Sequence, residues 1–242
     1  LRYTGKQDGD IPTNLARGTC ATLANERYEL FYILDYAGVL VFAATGALAA
    51  SRKQLDIISF LFFATLTGVG GGTLRDVVLG RTPVFWVVEP TYILVCVSAA
   101  VVVFFTAHLI EWRYRLLIWL DAIGLSAYCV MGAAIGLSVT GSTPIAIITG
   151  ILTATCGGIL RDILADEPSV LLRPEIYISA ALLGASTFTA LEALDLPSYA
   201  STAAGFIVAF ALRGGAIHYG WTIPQYRSRP GRNPEDAMKK KR

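Results

Sequence analysis

One phrase occurs twice in this chain and constrains everything around it. Leu66-Thr67-Gly68-Val69-Gly70-Gly71-Gly72-Thr73-Leu74-Arg75-Asp76 returns 86 residues later as Leu152-Thr153-Ala154-Thr155-Cys156-Gly157-Gly158-Ile159-Leu160-Arg161-Asp162. Each copy puts glycines and an Arg-Asp pair inside an otherwise apolar run. Glycine is a costly residue in a helix interior, and ionisable side chains are costly in a membrane. A chain that accepts both costs twice, at matching positions, is building a site there.

The same offset aligns Asp35 with Asp121, Gly38 with Gly124, Gly46 with Gly132 and Ala47 with Ala133. After a slip of one or two residues, Pro90 and Tyr92 correspond to Pro174 and Tyr177. The duplication therefore covers three apolar runs in each half, not a short motif alone.

Those runs call for a membrane. The chain is 54% hydrophobic and 16% charged, against about 25% charged in ordinary soluble domains. Apolar runs fall at Phe31–Ala50, Ile57–Leu79, Tyr92–Ile110, Leu116–Val139, Pro144–Leu164, Glu175–Ala193 and, most weakly, Ser198–Ile217, where Arg213 could snorkel. Roughly 20 helical residues cross a hydrocarbon layer, so seven spans fit. Helices are required because lipid leaves no partner for an unpaired backbone amide, and the period-two alternation of a β-barrel is missing.

The expected fold is an all-α membrane protein of seven transmembrane helices. Residues 1–28 form a tail, with a short helix over Thr13–Arg27. Residues 29–115 are the first three-helix repeat, 116–196 the second, 197–217 the seventh helix and 218–242 a basic tail. An odd number of spans per repeat turns the second copy upside down relative to the first. Of the 20 basic residues, thirteen fall on the side of the C-terminus and five on the other, with Arg75 and Arg161 inside the spans. This bias predicts a cytoplasmic C-terminus and an external N-terminus.

Several functions are disfavoured. A net charge of +2 gives no footprint for nucleic acid. Cys20, Cys96, Cys129 and Cys156 lack the short paired spacings of a metal or disulfide framework, and His108 and His218 are isolated. The glycine phrase does not fit G-x-G-x-x-G and has no Walker lysine. No nucleophile with an adjacent base stands out, so no enzyme, cofactor or metal is expected.

The site candidates are then Gly70, Gly71, Gly72, Cys156, Gly157 and Gly158, with Arg75, Asp76, Arg161 and Asp162 as intramembrane charges. The glycines either let two unbroken helices pack closely or break their helices near the midplane, and the doubling favours the second reading. Neighbours on a helix diverge by about 100°, which points to cross-repeat pairs, Arg75 with Asp162 and Arg161 with Asp76. Asp35 and Asp121 read as carboxylates opening the first and fourth helices, favoured there by the helix dipole, and are secondary candidates.

The doubled Gly-Gly-x-Leu-Arg-Asp phrase, the Asp-x-x-Gly openings, Pro83-Val84-Phe85-Trp86 and the close from Ala216-Ile217-His218 to Pro224 resemble the bacterial UPF0126, or glycine-transporter-domain, membrane family. That family is similar to the trimeric intracellular cation (TRIC) channels. The resemblance implies a homotrimer in the inner or plasma membrane, surrounded by lipid, with a pore in each protomer. The pore would lie between the second and fifth helices, kinked at Gly70-Gly71-Gly72 and at Cys156-Gly157-Gly158, and would carry monovalent cations, chiefly potassium. Cys156 departs from the triple glycine of the first copy. The alternative is a secondary transporter of glycine or another small solute.

Overall fold

The computed structural model describes residues 13–109, 112–168 and 176–223. The expectations that rest on Ile110, Arg173, Pro174, Glu175, the first twelve residues and the tail beyond Ile223 lie outside them. The described elements are α1 (Thr13–Arg52), α2 (Ile57–Val78), α3 (Phe85–Val88), α4 (Thr91–Thr106, continued by a 3-10 turn over Ala107–Leu109), α5 (Arg113–Thr140), α6 (Thr143–Leu164), α7 (Ile178–Ala193) and α8 (Ser198–Tyr219).

Local chemistry sets the ends of these helices. Asp56 caps α2, its carboxylate accepting the Ser59 N–H at 2.8 Å. α5 ends on Gly141 in the left-handed conformation, where a side chain would be strained, and Pro144 follows in the first turn of α6. Among the described residues six helices are long and apolar enough to cross a membrane: Tyr32–Arg52, Ile57–Val78, Thr91–Leu109, Arg113–Thr140, Thr143–Leu164 and Ser198–Tyr219. α7 is apolar but has only 16 residues.

Two expectations about the first helix need correction. No separate short helix covers residues 13–27; Thr13 begins one continuous 40-residue helix. Asp35 therefore does not open a helix but lies well inside α1. Asp121 likewise lies eight residues beyond Arg113, the start of α5. Neither carboxylate can cap a helix from there. Both are buried, at 7% and 2% exposure.

α1, α2 and α4 pack on one another, and so do α5, α6 and α7, with α8 against α5 and α7. The two groups meet through α1 on α5 and α2 on α6. Their contacts are exchanged under the offset of 86. A Cβ on Gly38 would strike the Tyr128 ring, and one on Gly124 would lie 3.0 Å from the Phe42 ring. The Phe42 and Tyr128 rings themselves pack 5.2 Å apart.

The same exchange holds where α2 meets α6. A Cβ on Gly71 would collide with the Thr153 carbonyl, and one on Gly157 would lie 2.6 Å from the Thr67 carbonyl. Residue numbers rise along one helix as they fall along the other, so α2 and α6 cross antiparallel. The glycine runs do not break either helix, since α2 and α6 are α-helical throughout. Here the close-packing reading of the glycines holds. Without side chains at 71 and 157 the two backbones come into contact, close enough for weak Cα–H···O bonds.

Candidate functional site

Beyond the crossing, each helix carries its Arg-Asp pair into a polar cluster. The cross-repeat pairs expected from the sequence do not form. Along antiparallel helices, Arg75 and Asp162 are displaced by about thirteen residues, or roughly 20 Å at 1.5 Å per residue. Each arginine instead turns back onto its neighbour: Arg75 Nε donates to Asp76 Oδ1 at 2.9 Å, and Arg161 Nε to Asp162 Oδ1 at 3.0 Å. The 100° divergence holds for the Cβ positions, but the long arginine side chain spans it.

In the first cluster Asp76 is the anchor. Its Oδ2 accepts the Phe85 N–H at 2.9 Å, and Arg81 stands 3.5 Å from its Oδ1. The Arg75 guanidinium also lies 5.6 Å from the centre of the Phe85 ring. Phe85 is itself seated against Gly72, where a Cβ would come within 2.6 Å of the ring. Asp35, the equivalent of Asp121, has no ion pair among the described residues; its Oδ2 accepts the Tyr92 hydroxyl at 2.8 Å. Nearby, Tyr32 and Tyr36 donate to the two Glu89 oxygens at 2.5 and 2.6 Å and tie α1 to the segment before α4. These hydroxyls hold the Glu89 carboxyl below the usual range. Asp35, Arg75, Asp76, Arg81 and Glu89 line one cavity of about 450 Å³.

The second cluster is closed. Arg161 Nη1 donates to Asp121 Oδ1 at 2.7 Å while Nη2 donates to Asp162 Oδ1 at 2.8 Å, so one guanidinium bridges two buried carboxylates. Tyr177 is buried beside Gly158, where a Cβ would lie 2.8 Å from its hydroxyl. Arg213 does not snorkel; it is 2% exposed, 5.1 Å from the Tyr177 ring centre, and donates to the Ile176 carbonyl at 3.4 Å. At the rim, Arg52 of α1 pairs with Glu167 at 2.9 Å. The cavity at this cluster is about 20 Å³, room for about one water.

The structure thus brings Asp35, Arg75 and Asp76 together, and Asp121, Arg161 and Asp162 together. Gly71 and Gly157 stand between the two groups. Gly70 faces the flexible end of Leu160, and Cys156 is half-buried with a free thiol. Sequence reasoning missed Arg81, Phe85, Glu89, Arg213 and the hydroxyls of Tyr32 and Tyr36. The repeat had aligned Tyr92 with Tyr177 without showing that each belongs beside a buried aspartate.

The family model described as "Glycine transporter" matches residues 32–108 and again residues 118–193, two copies whose starts are 86 residues apart. The chain belongs to that family. A UPF0126 membrane protein of Vibrio cholerae is 35% identical to this family member over 202 residues, 82% of this chain and 83% of the relative. The UPF0126 inner membrane protein YadS of Escherichia coli is also 35% identical over 202 residues, 81% and 96% of the two chains. Among solved structures, the TRIC trimeric intracellular cation channel orthologue from Rhodobacter sphaeroides is 52% identical, with a TM-score of 0.78 over 79% of this chain and all but 1% of its own. A structure described as bearing on conductance through TRIC cation channels is 29% identical, with a TM-score of 0.74 over 83% of this chain. This glycine-transporter family member is therefore a membrane protein with the TRIC fold, helical in the described elements.

Proposed function

We propose that the protein is a monovalent-cation channel, chiefly for potassium, acting as a homotrimer in the inner or plasma membrane with one path in each protomer. The observation that carries this reading is the likeness to a solved cation channel at 52% identity over most of the chain. The path runs beside the α2–α6 crossing, from the 450 Å³ cavity at Asp35 toward the closed cluster at Arg161. Gly71 and Gly157 form its constriction, and a bend of either helix at Gly70–Gly72 or Cys156–Gly158 widens it.

In this reading the repeats are related by a two-fold axis in the membrane plane. The exchanged contacts of Gly71 with Thr153 and Gly157 with Thr67 support that relation, as does the double family match. α7 is the sixth of seven spans. At about 24 Å it crosses by local thinning of the bilayer. The N-terminus is outside.

Purified protein in a planar bilayer under a potassium chloride gradient tests the reading. Current should reverse near the potassium equilibrium potential; silence, or reversal near the chloride potential, overturns it. A second reading, transport of glycine or a similar zwitterion, is favoured by the family description and by a cavity offering both carboxylates and guanidiniums. Counterflow of labelled glycine into proteoliposomes, without conductance, would select it.

A further inference from the structure

We propose that the Asp35 carboxylate is a binding site for the permeating monovalent cation, and that Arg75 is the competitor that closes it. The inference rests on the channel reading and names the ion's first station within it. Asp35 is buried to 7% exposure, yet it lines the larger cavity. Its carboxylate receives one hydrogen bond, from Tyr92, and among the described residues no cationic group lies within ion-pair distance of it. A buried carboxylate without a counter-charge is unfavourable in apolar surroundings, and a cation reaching it through the cavity would offset that cost.

The two guanidiniums of the cavity are directed elsewhere. Arg75 and Arg81 both lie on Asp76, at 2.9 and 3.5 Å, leaving the carboxylates of Asp35 and Glu89 to set the sign of the remaining field. Oxygen ligands of this kind suit a hard cation. Among the described residues no three His, Cys, Asp or Glu side chains gather as a divalent site would require, and a single carboxylate can both admit a monovalent ion and release it.

The second cluster shows the alternative state of the same parts. There the equivalent aspartate, Asp121, is taken by Arg161 at 2.7 Å, and the adjoining cavity measures about 20 Å³. An equivalent reach by Arg75, from Asp76 toward Asp35, would displace a bound cation. Arg75 is held on Asp76, which is itself fixed by the Phe85 N–H, and lies beside the Phe85 ring.

Crystals of the full chain grown in rubidium chloride test the site without any variant. An anomalous scattering peak is expected within coordination distance of Asp35 and none at Asp121. Absence of the Asp35 peak overturns the proposal. In bilayers, D35N should conduct on the order of tenfold less than wild type at low potassium and approach it at high potassium, because a fixed charge acts by concentrating the ion. A folded D35N with wild-type current at low potassium overturns it as well. A rubidium peak in a protein that carries no current would support the site while ending the channel reading; current without a peak would do the reverse.

Discussion

Gly71 and Gly70 are neighbours in sequence but are held by different physics. A methyl group at 71 meets the Thr153 backbone, which can yield only if α6 moves; at 70 it meets the Leu160 side chain, which can rotate. G71A should therefore destabilise by about 1–3 kcal/mol and G70A by less than about 1, read as thermal midpoints of the purified protein in detergent. A second contrast concerns the aspartates. D121N leaves the buried Arg161 with one carboxylate rather than two and should cost about 3 kcal/mol in the same assay, whereas D35N breaks no ion pair. The sequence showed which residues carry charge but not who answers whom. Divergence of adjacent Cβ atoms argued against Arg75 with Asp76. That argument fails where the longer partner is a flexible arginine and the intended alternative lies at the far end of an antiparallel crossing.

At the scale of elements, hydropathy located the spans closely: Ile57–Leu79 in the sequence became Ile57–Val78, and Pro144–Leu164 became Thr143–Leu164. The start of α1 was not legible. The residues before Tyr32 mix polar and apolar side chains with no apolar stripe, so the helix was cut short and Asp35 was misread as a cap. The four-residue α3 was missed for a related reason, being too short to show a period. Yet α3 leads into Glu89, which fastens α1 through Tyr32 and Tyr36. Because the folded carboxyl titrates lower than in the unfolded chain, its contribution is fully present above the unfolded pKa and is lost as pH falls through the folded one. Amide protection factors in the segment from Phe85 to Tyr92, corrected for the intrinsic exchange rate at each pH, should fall on acidification below the ordinary glutamate range. E89Q should lose that pH dependence.

For the whole molecule, the excess of lysine and arginine on one side predicts a cytoplasmic C-terminus. A green fluorescent protein fused after Arg242 should fluoresce in a bacterial host, and an alkaline phosphatase fusion at the same point should be inactive; the opposite pattern would reverse the orientation. The repeat was the most legible large-scale feature because it is a correspondence between residues and needs no coordinates. What it could not convey was the difference between the copies, one with an open cavity at Asp35 and the other with Arg161 closed over Asp121.

The exchanged contacts at the crossing have a consequence for how such a chain can be divided. Each half supplies the carbonyl that the other half's glycine makes room for: Thr153 for Gly71, and Thr67 for Gly157. Neither half presents a finished surface, and each is the template against which the other is shaped. Cut between Leu109 and Trp112 and expressed together, the two pieces should find one another and co-purify, whereas either one expressed alone should aggregate or be degraded.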